Sequence, residues 1–209
     1  KKPLKTLNKL VGMKELKDQI MYQVLFYVQS FNSNDMMHTA LMGPPGVGKT
    51  TVAKVIAKVY KSLGFLSSGK LLIVSREDLV GQYLGETAIK TRTVLEKARG
   101  NVLFIDEAYS LGNSAKDDMY AKECVDTLTA FLSENTEDFV CIIAGYSKEL
   151  QQCFFNSNPG LDRRFPWKYE IKPYNSQELC DIFKLQLHAR KWKLRISTQL
   201  DSLELLSSI

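Results

Sequence analysis

Gly43-Pro44-Pro45-Gly46-Val47-Gly48-Lys49-Thr50 lies between a short apolar run, Thr39 to Met42, and a helical pattern from Thr51 to Leu63. The stretch satisfies G-x-x-x-x-G-K-[ST], the spacing of a phosphate-binding loop. Each residue type has a chemical reason. Glycines let successive backbone N–H groups turn inward around a phosphate chain, and the N-terminus of the following helix adds a favourable dipole. Lys49 is placed to bridge the β- and γ-phosphates and Thr50 to offer its hydroxyl to Mg²⁺. Pro45, Gly46, Val47, Gly48 and Thr51 complete the expected nucleotide cradle.

Working outward, strand, glycine loop and helix repeat as alternating elements. Leu71 to Val74, Val102 to Ile105, Phe139 to Ala144 and Trp167 to Ile171 read as further strands. Met13 to Phe31 places Leu16, Ile20, Val24 and Tyr27 at helical spacing, and Thr87 to Arg99 reads as a helix closed by Gly100. Strands alternating with helices predict an α/β fold with a five-stranded parallel sheet between helical layers. Pro173-Tyr174-Asn175 breaks the pattern, and Ser176 opens an amphipathic helix with Glu178 in its first turn. The expected organisation is a nucleotide-binding core over 1–172 and the start of a small helical lid over 173–209.

The run Val102-Leu103-Phe104-Ile105-Asp106-Glu107 delivers two carboxylates at the C-terminal end of a strand, the edge where open parallel sheets bind ligands. Asp106 is positioned to hold Mg²⁺ through its water shell, and Glu107 to orient or deprotonate an attacking water. Composition excludes several other classes. The 209 residues are 44% hydrophobic and 24% charged, which is ordinary for a globular domain, and 28 Lys plus Arg against 23 Asp plus Glu give a net charge of only +5. That density is far below that of a dedicated nucleic-acid binder. The longest apolar runs are much shorter than the roughly 18 residues of a membrane span.

The four cysteines form no C-x-x-C pair, so reduced thiols in a cytoplasmic setting are expected. His38 and His188 stand alone, without a metal-spaced partner. The basic stretch Lys184 to Arg195 reads as a solvated helix face with Trp192 packed inward. The chain opens on Lys1 and closes on the apolar stretch Leu203 to Ile209, the expectation for a piece of a longer protein.

Four ordered blocks carry a family resemblance: Asp78-Leu79-Val80-Gly81-Gln82-Tyr83-Leu84-Gly85-Glu86-Thr87, Leu103 to Leu111, Ala144-Gly145-Tyr146, and Asn158 to Pro166. With the two nucleotide motifs, they resemble the AAA+ ATPases, and within them the CbxX/CfqX group, over about residues 10 to 180. The resemblance implies ATP and Mg²⁺ as cofactors, a homo-hexameric ring and a protein client. It implies that Tyr83, Leu84 and Gly85 form a pore loop gripping a threaded polypeptide, and that Val11 and Gly12 line the adenine pocket. It makes Arg164 the arginine finger that stabilises charge on a neighbour's γ-phosphate, with Arg163 as the alternative. The fourth strand runs into Ala144-Gly145-Tyr146 where many relatives carry Asn or Thr, which leaves the sensor role unassigned. The sensor arginine of the lid would lie beyond Ile209. The expected function is ATP-driven remodelling of a protein. A nucleic-acid motor or clamp-loader-like ATPase is the alternative, opposed by the modest charge.

Overall fold

The computed structural model describes residues 2–29, 36–83, 85–112 and 118–192. In chain order these form α1 (Lys2–Asn8), α2 (Lys14–Gln29), β1 (Thr39–Met42), α3 (Lys49–Leu63), β2 (Leu71–Val74), α4 (Arg76–Leu79) and α5 (Glu86–Lys97). There follow β3 (Val102–Ile105), a 3-10 turn at Ala108–Leu111, α6 (Met119–Glu134), β4 (Val140–Gly145), α7 (Ser147–Glu149) and an irregular stretch through Ser157. The described chain ends with α8 (Pro159–Arg164), β5 (Trp167–Glu170) and α9 (Ser176–Ala189).

The strands form one parallel sheet in the order β2-β3-β4-β1-β5. Residues alternate between its faces, so the sheet carries two cores. Leu41, Phe104, Ile142 and Tyr169 face α1, α2 and α3, whereas Ala40, Leu103, Ile105 and Ile143 face α5, α6 and α8. Every residue of β3 and β4 is buried, as a parallel sheet covered on both sides requires. Each buried Val, Leu, Ile or Phe side chain among them contributes about 1.5–3 kcal/mol by leaving water.

The fold and its five strands agree with the sequence reading, and differences lie at the ends. β4 begins at Val140 rather than Phe139, whose ring instead packs edge-on against Phe131. α5 ends at Lys97, and Gly100 takes φ +76° in the following loop, where its N–H donates to Asp138 O. α1 was not foreseen. It buries Leu7, and Lys17 Nζ donates to Leu10 O at 2.6 Å behind it. Trp192 corrects the inward-packing expectation: it is 62% exposed, with the Arg190 guanidinium 5.3 Å from its ring centre. The expected lid begins with α9, capped by Asn175 and Glu178 in a reciprocal box. Residues 193–209 of that expected lid, with Lys193 and Arg195, lie outside the described residues.

His38 is buried and structural. Its Nδ1 accepts the Cys141 N–H at 3.0 Å, and the rings of Phe139 and Phe165 enclose it. Among the described residues, all four cysteines are free and no helix is long and apolar enough to cross a membrane.

Candidate active site

The glycine loop leaves the centre of the sheet. Gly43 N–H donates to Gly145 O of β4, and Ile171 N–H beyond β5 donates to Met42 O, so both neighbouring strands pin the loop entrance. A side chain at Gly43 would run into the Ile171 carbonyl, which stands 2.6 Å from its ideal Cβ position. Gly48 takes φ +92° at the N-cap of α3, a conformation that favours glycine. α3 therefore starts at Lys49 with its unpaired N–H groups aimed at the loop's interior.

Pro45, Gly46, Gly48, Lys49, Thr50 and Thr51 line one side of a cleft of about 310 Å³. Asp106 and Glu107 from the end of β3 line the other, with Tyr109, Gly145 and Tyr146. Lys49 Nζ donates to Gly43 O at 2.8 Å and to Pro44 O at 2.9 Å, and it lies 5.8 Å from the Tyr146 ring centre. Partial burial lowers the Lys49 pKa from its ordinary value, against the opposing pull of Asp106 and Glu107. Glu107 has φ +49°, in the left-handed region that costs a non-glycine residue about 1–3 kcal/mol. Its N–H donates to Asp106 Oδ1 at 3.1 Å. Burial, and then the Glu107 charge, raise the Tyr109 phenol.

Val47 and the Val11-Gly12 pair stand apart from this cleft. Val47 is buried, and its carbonyl accepts the Tyr174 hydroxyl at 2.8 Å. Gly12 packs so closely on Glu178 that a Cβ would overlap that carboxylate. Beside it, Met13, Ile171, Pro173, Tyr174 and Glu178 line a second cavity of about 210 Å³. Met13 and Tyr174 also approach Gly48, so this cavity adjoins the glycine loop.

Tyr83 is 69% exposed on a tight turn, where Gln82 and Tyr83 N–H both donate to Glu86 Oε2 and Gly85 caps α5 at φ +83°. Leu84 lies outside the described residues. Neither Tyr83 nor the arginines Arg163 and Arg164 line the cleft of their own chain.

In the sequence Tyr109, Gly145 and Tyr146 carry only the family resemblance, yet the fold brings them to the cleft, with the tyrosine rings 6.0 Å apart. Their signal is position at the carboxyl edge of the sheet: Gly145 ends β4, Tyr146 follows it, and Tyr109 lies in the short turn four residues beyond β3.

The model of the ATPase family associated with various cellular activities (AAA) matches residues 39–163. The chain belongs to the AAA ATPase family. It is 41% identical to a cfxQ-like protein of Acanthamoeba polyphaga mimivirus over 90% of this chain and 47% of that protein. Stage V sporulation protein K of Bacillus subtilis is 39% identical, over 91% of this chain and 61% of that one. The chloroplastic ribulose bisphosphate carboxylase/oxygenase activase of Cyanidioschyzon merolae is 38% identical, over 88% and 62%. These relatives place this AAA ATPase in the CbxX/CfqX group, and the chain spans about half to three-fifths of their length. A solved AAA domain, FIGL-1 in complex with ADP, covers 96% of the chain and 64% of its own length at TM-score 0.66. At 19% identity it shows the AAA+ P-loop fold alone.

Proposed function

We propose that this AAA ATPase hydrolyses ATP at the cleft between the glycine loop and β3, in a ring, and uses the cycle to remodel a protein client. One observation carries the reading: Lys49, Thr50, Asp106 and Glu107, separated in sequence, line a single cleft at the carboxyl edge of the sheet. The left-handed glycines and the α3 N-terminus make a cradle for the phosphates. Thr50 and Asp106 supply the hard oxygen donors that suit Mg²⁺, which would neutralise phosphate charge when bound.

Within that cleft, Lys49 exchanges its bonds to the Gly43 and Pro44 carbonyls for phosphate oxygens. The Glu107 carboxylate orients the attacking water and accepts its proton. Arg164 of a neighbouring subunit approaches the γ-phosphate. Val11, Gly12 and the adjoining cavity receive the adenine. Tyr83, Leu84 and Gly85 grip the client, and the exposure of Tyr83 supports that role. Free, mostly buried cysteines fit a cytoplasmic location. The core runs over 1–172 and the lid begins at 173.

Glu107→Gln is the decisive test. It retains the phosphate cradle and Asp106, so ATP binding stays within about 3-fold while turnover falls by about 10²–10⁴. Turnover at the wild-type rate removes Glu107 from this role.

A further inference from the structure

The nucleotide cleft leaves one well-ordered arrangement unexplained, the network holding Arg164. Arg164 sits in the last turn of α8, which packs on α6. Its Nε and Nη2 both donate to Ser133 Oγ on α6, at 3.0 and 2.7 Å, and Nη1 donates to Gly160 O at 3.0 Å. The Ser133 hydroxyl proton is itself committed, donated to Thr129 O at 2.8 Å, so the oxygen turns its lone pairs toward the guanidinium. Gly160 permits the close fit, since a Cβ there would stand 3.1 Å from Arg164 Nη1 and 3.3 Å from Thr129 Cγ2. At the other end of α8, Asn158 Nδ2 donates to Asp126 Oδ1 of α6 at 2.9 Å, while Asn158 Oδ1 accepts the Gly160 N–H. Both ends of this short helix are thereby fastened to one face of α6.

A guanidinium carries five N–H donors. The three bonds leave one N–H on each terminal nitrogen without an acceptor among the described residues, the type of charged donor that binds phosphate oxygens. All the acceptors are neutral. Glu134, the carboxylate next to Ser133, pairs with Arg92 at 3.7 Å, and no described carboxylate forms an ion pair with Arg164. Its charge is therefore oriented without being cancelled. Arg163 is exposed and takes no part in the network.

We infer that Ser133 is a positioning residue for Arg164, holding the guanidinium so that its free N–H pair faces the phosphate of an adjoining subunit. The inference rests on the finger reading of Arg164 proposed above. Fixing a long side chain before the reaction removes an ordering cost that would otherwise fall on the transition state.

Mixed assemblies separate the two ideas. Arg164→Ala subunits keep an intact cleft but lack the finger, and Glu107→Gln subunits keep the finger but lack turnover. Mixing them should restore ATPase activity, because each Glu107→Gln subunit presents Arg164 to a working site. Replacing the second partner by Glu107→Gln/Ser133→Ala should cut the restored kcat by about 10-fold with KM for ATP unchanged. Glu107→Gln/Ser133→Thr, which keeps the oxygen, should recover it to within about 2-fold. Damage to the variant's own cleft is silent here, since that cleft is already inactive. Full restoration by the Ser133→Ala partner overturns the positioning role while leaving the finger intact. If the first mixture restores nothing, the finger reading itself fails and the inference falls with it.

Discussion

Single residues here do work that their immediate neighbours in sequence do not announce. His38 stays neutral because burial lowers its pKa from 6.5 to about 3, with Nδ1 occupied by the Cys141 N–H. The unfolded chain protonates this imidazole near pH 6.5 and the folded chain does not until about pH 3. Between those values the unfolded state binds more protons, so the group makes stability fall as pH drops, by at most about 1.4 kcal/mol per unit. Above pH 6.5 its contribution is flat. His38→Gln should lose this component: urea unfolding at pH 7 and pH 5 should give a smaller stability difference than in wild type, and an equal difference would show that His38 does not titrate in this way. Lys49, Thr50, Asp106 and Glu107 were legible because motif spacing reports on local backbone that the same few residues create. Ser133 was not legible, because its role depends on α6 and α8 meeting, which no local pattern encodes.

Elements with strong periodicity are legible in the sequence, whereas those decided by packing are not. β1, β2 and β3 begin and end as their apolar runs do. α1 offers only Leu4 and Leu7 as a repeat, too little to announce a helix, and tertiary contact with α3 supplies the rest. The Ala108–Leu111 turn after Glu107 shows how tightly such elements meet. Gly112 closes it, and a Cβ there would overlap the carbonyl of Cys153 in the stretch after α7. Backbone cannot yield as a side chain does. Gly112→Ala should therefore cost about 3 kcal/mol and lower the midpoint of denaturant unfolding. An unchanged midpoint would mean that the two segments can separate freely.

At the scale of the whole molecule, two surfaces lie apart from one another, the cleft and the exposed Tyr83 turn, and the proposed division of labour between them is open to test. Tyr83→Ala should leave basal ATP turnover within about 2-fold, since the ring touches none of the cleft, yet abolish client remodelling because sequence-tolerant contact area is lost. Unaltered remodelling of a fluorescent client would remove Tyr83 from the grip. The fold class was open to sequence because alternating strands and helices admit few topologies. The outward position of Trp192 was not, since a basic, aromatic helix end reads the same whether its ring faces in or out. The strand order carries a consequence for the birth of the chain. β1 leads the sheet in sequence but pairs with β4 and β5, which are synthesised about a hundred or more residues later. During translation the glycine loop therefore leaves the ribosome long before either strand that pins its entrance. Until β4 emerges both edges of β1 are unpaired, and until β5 emerges one still is, so the interval calls for chaperone protection and makes truncation before Trp167 a route to aggregation.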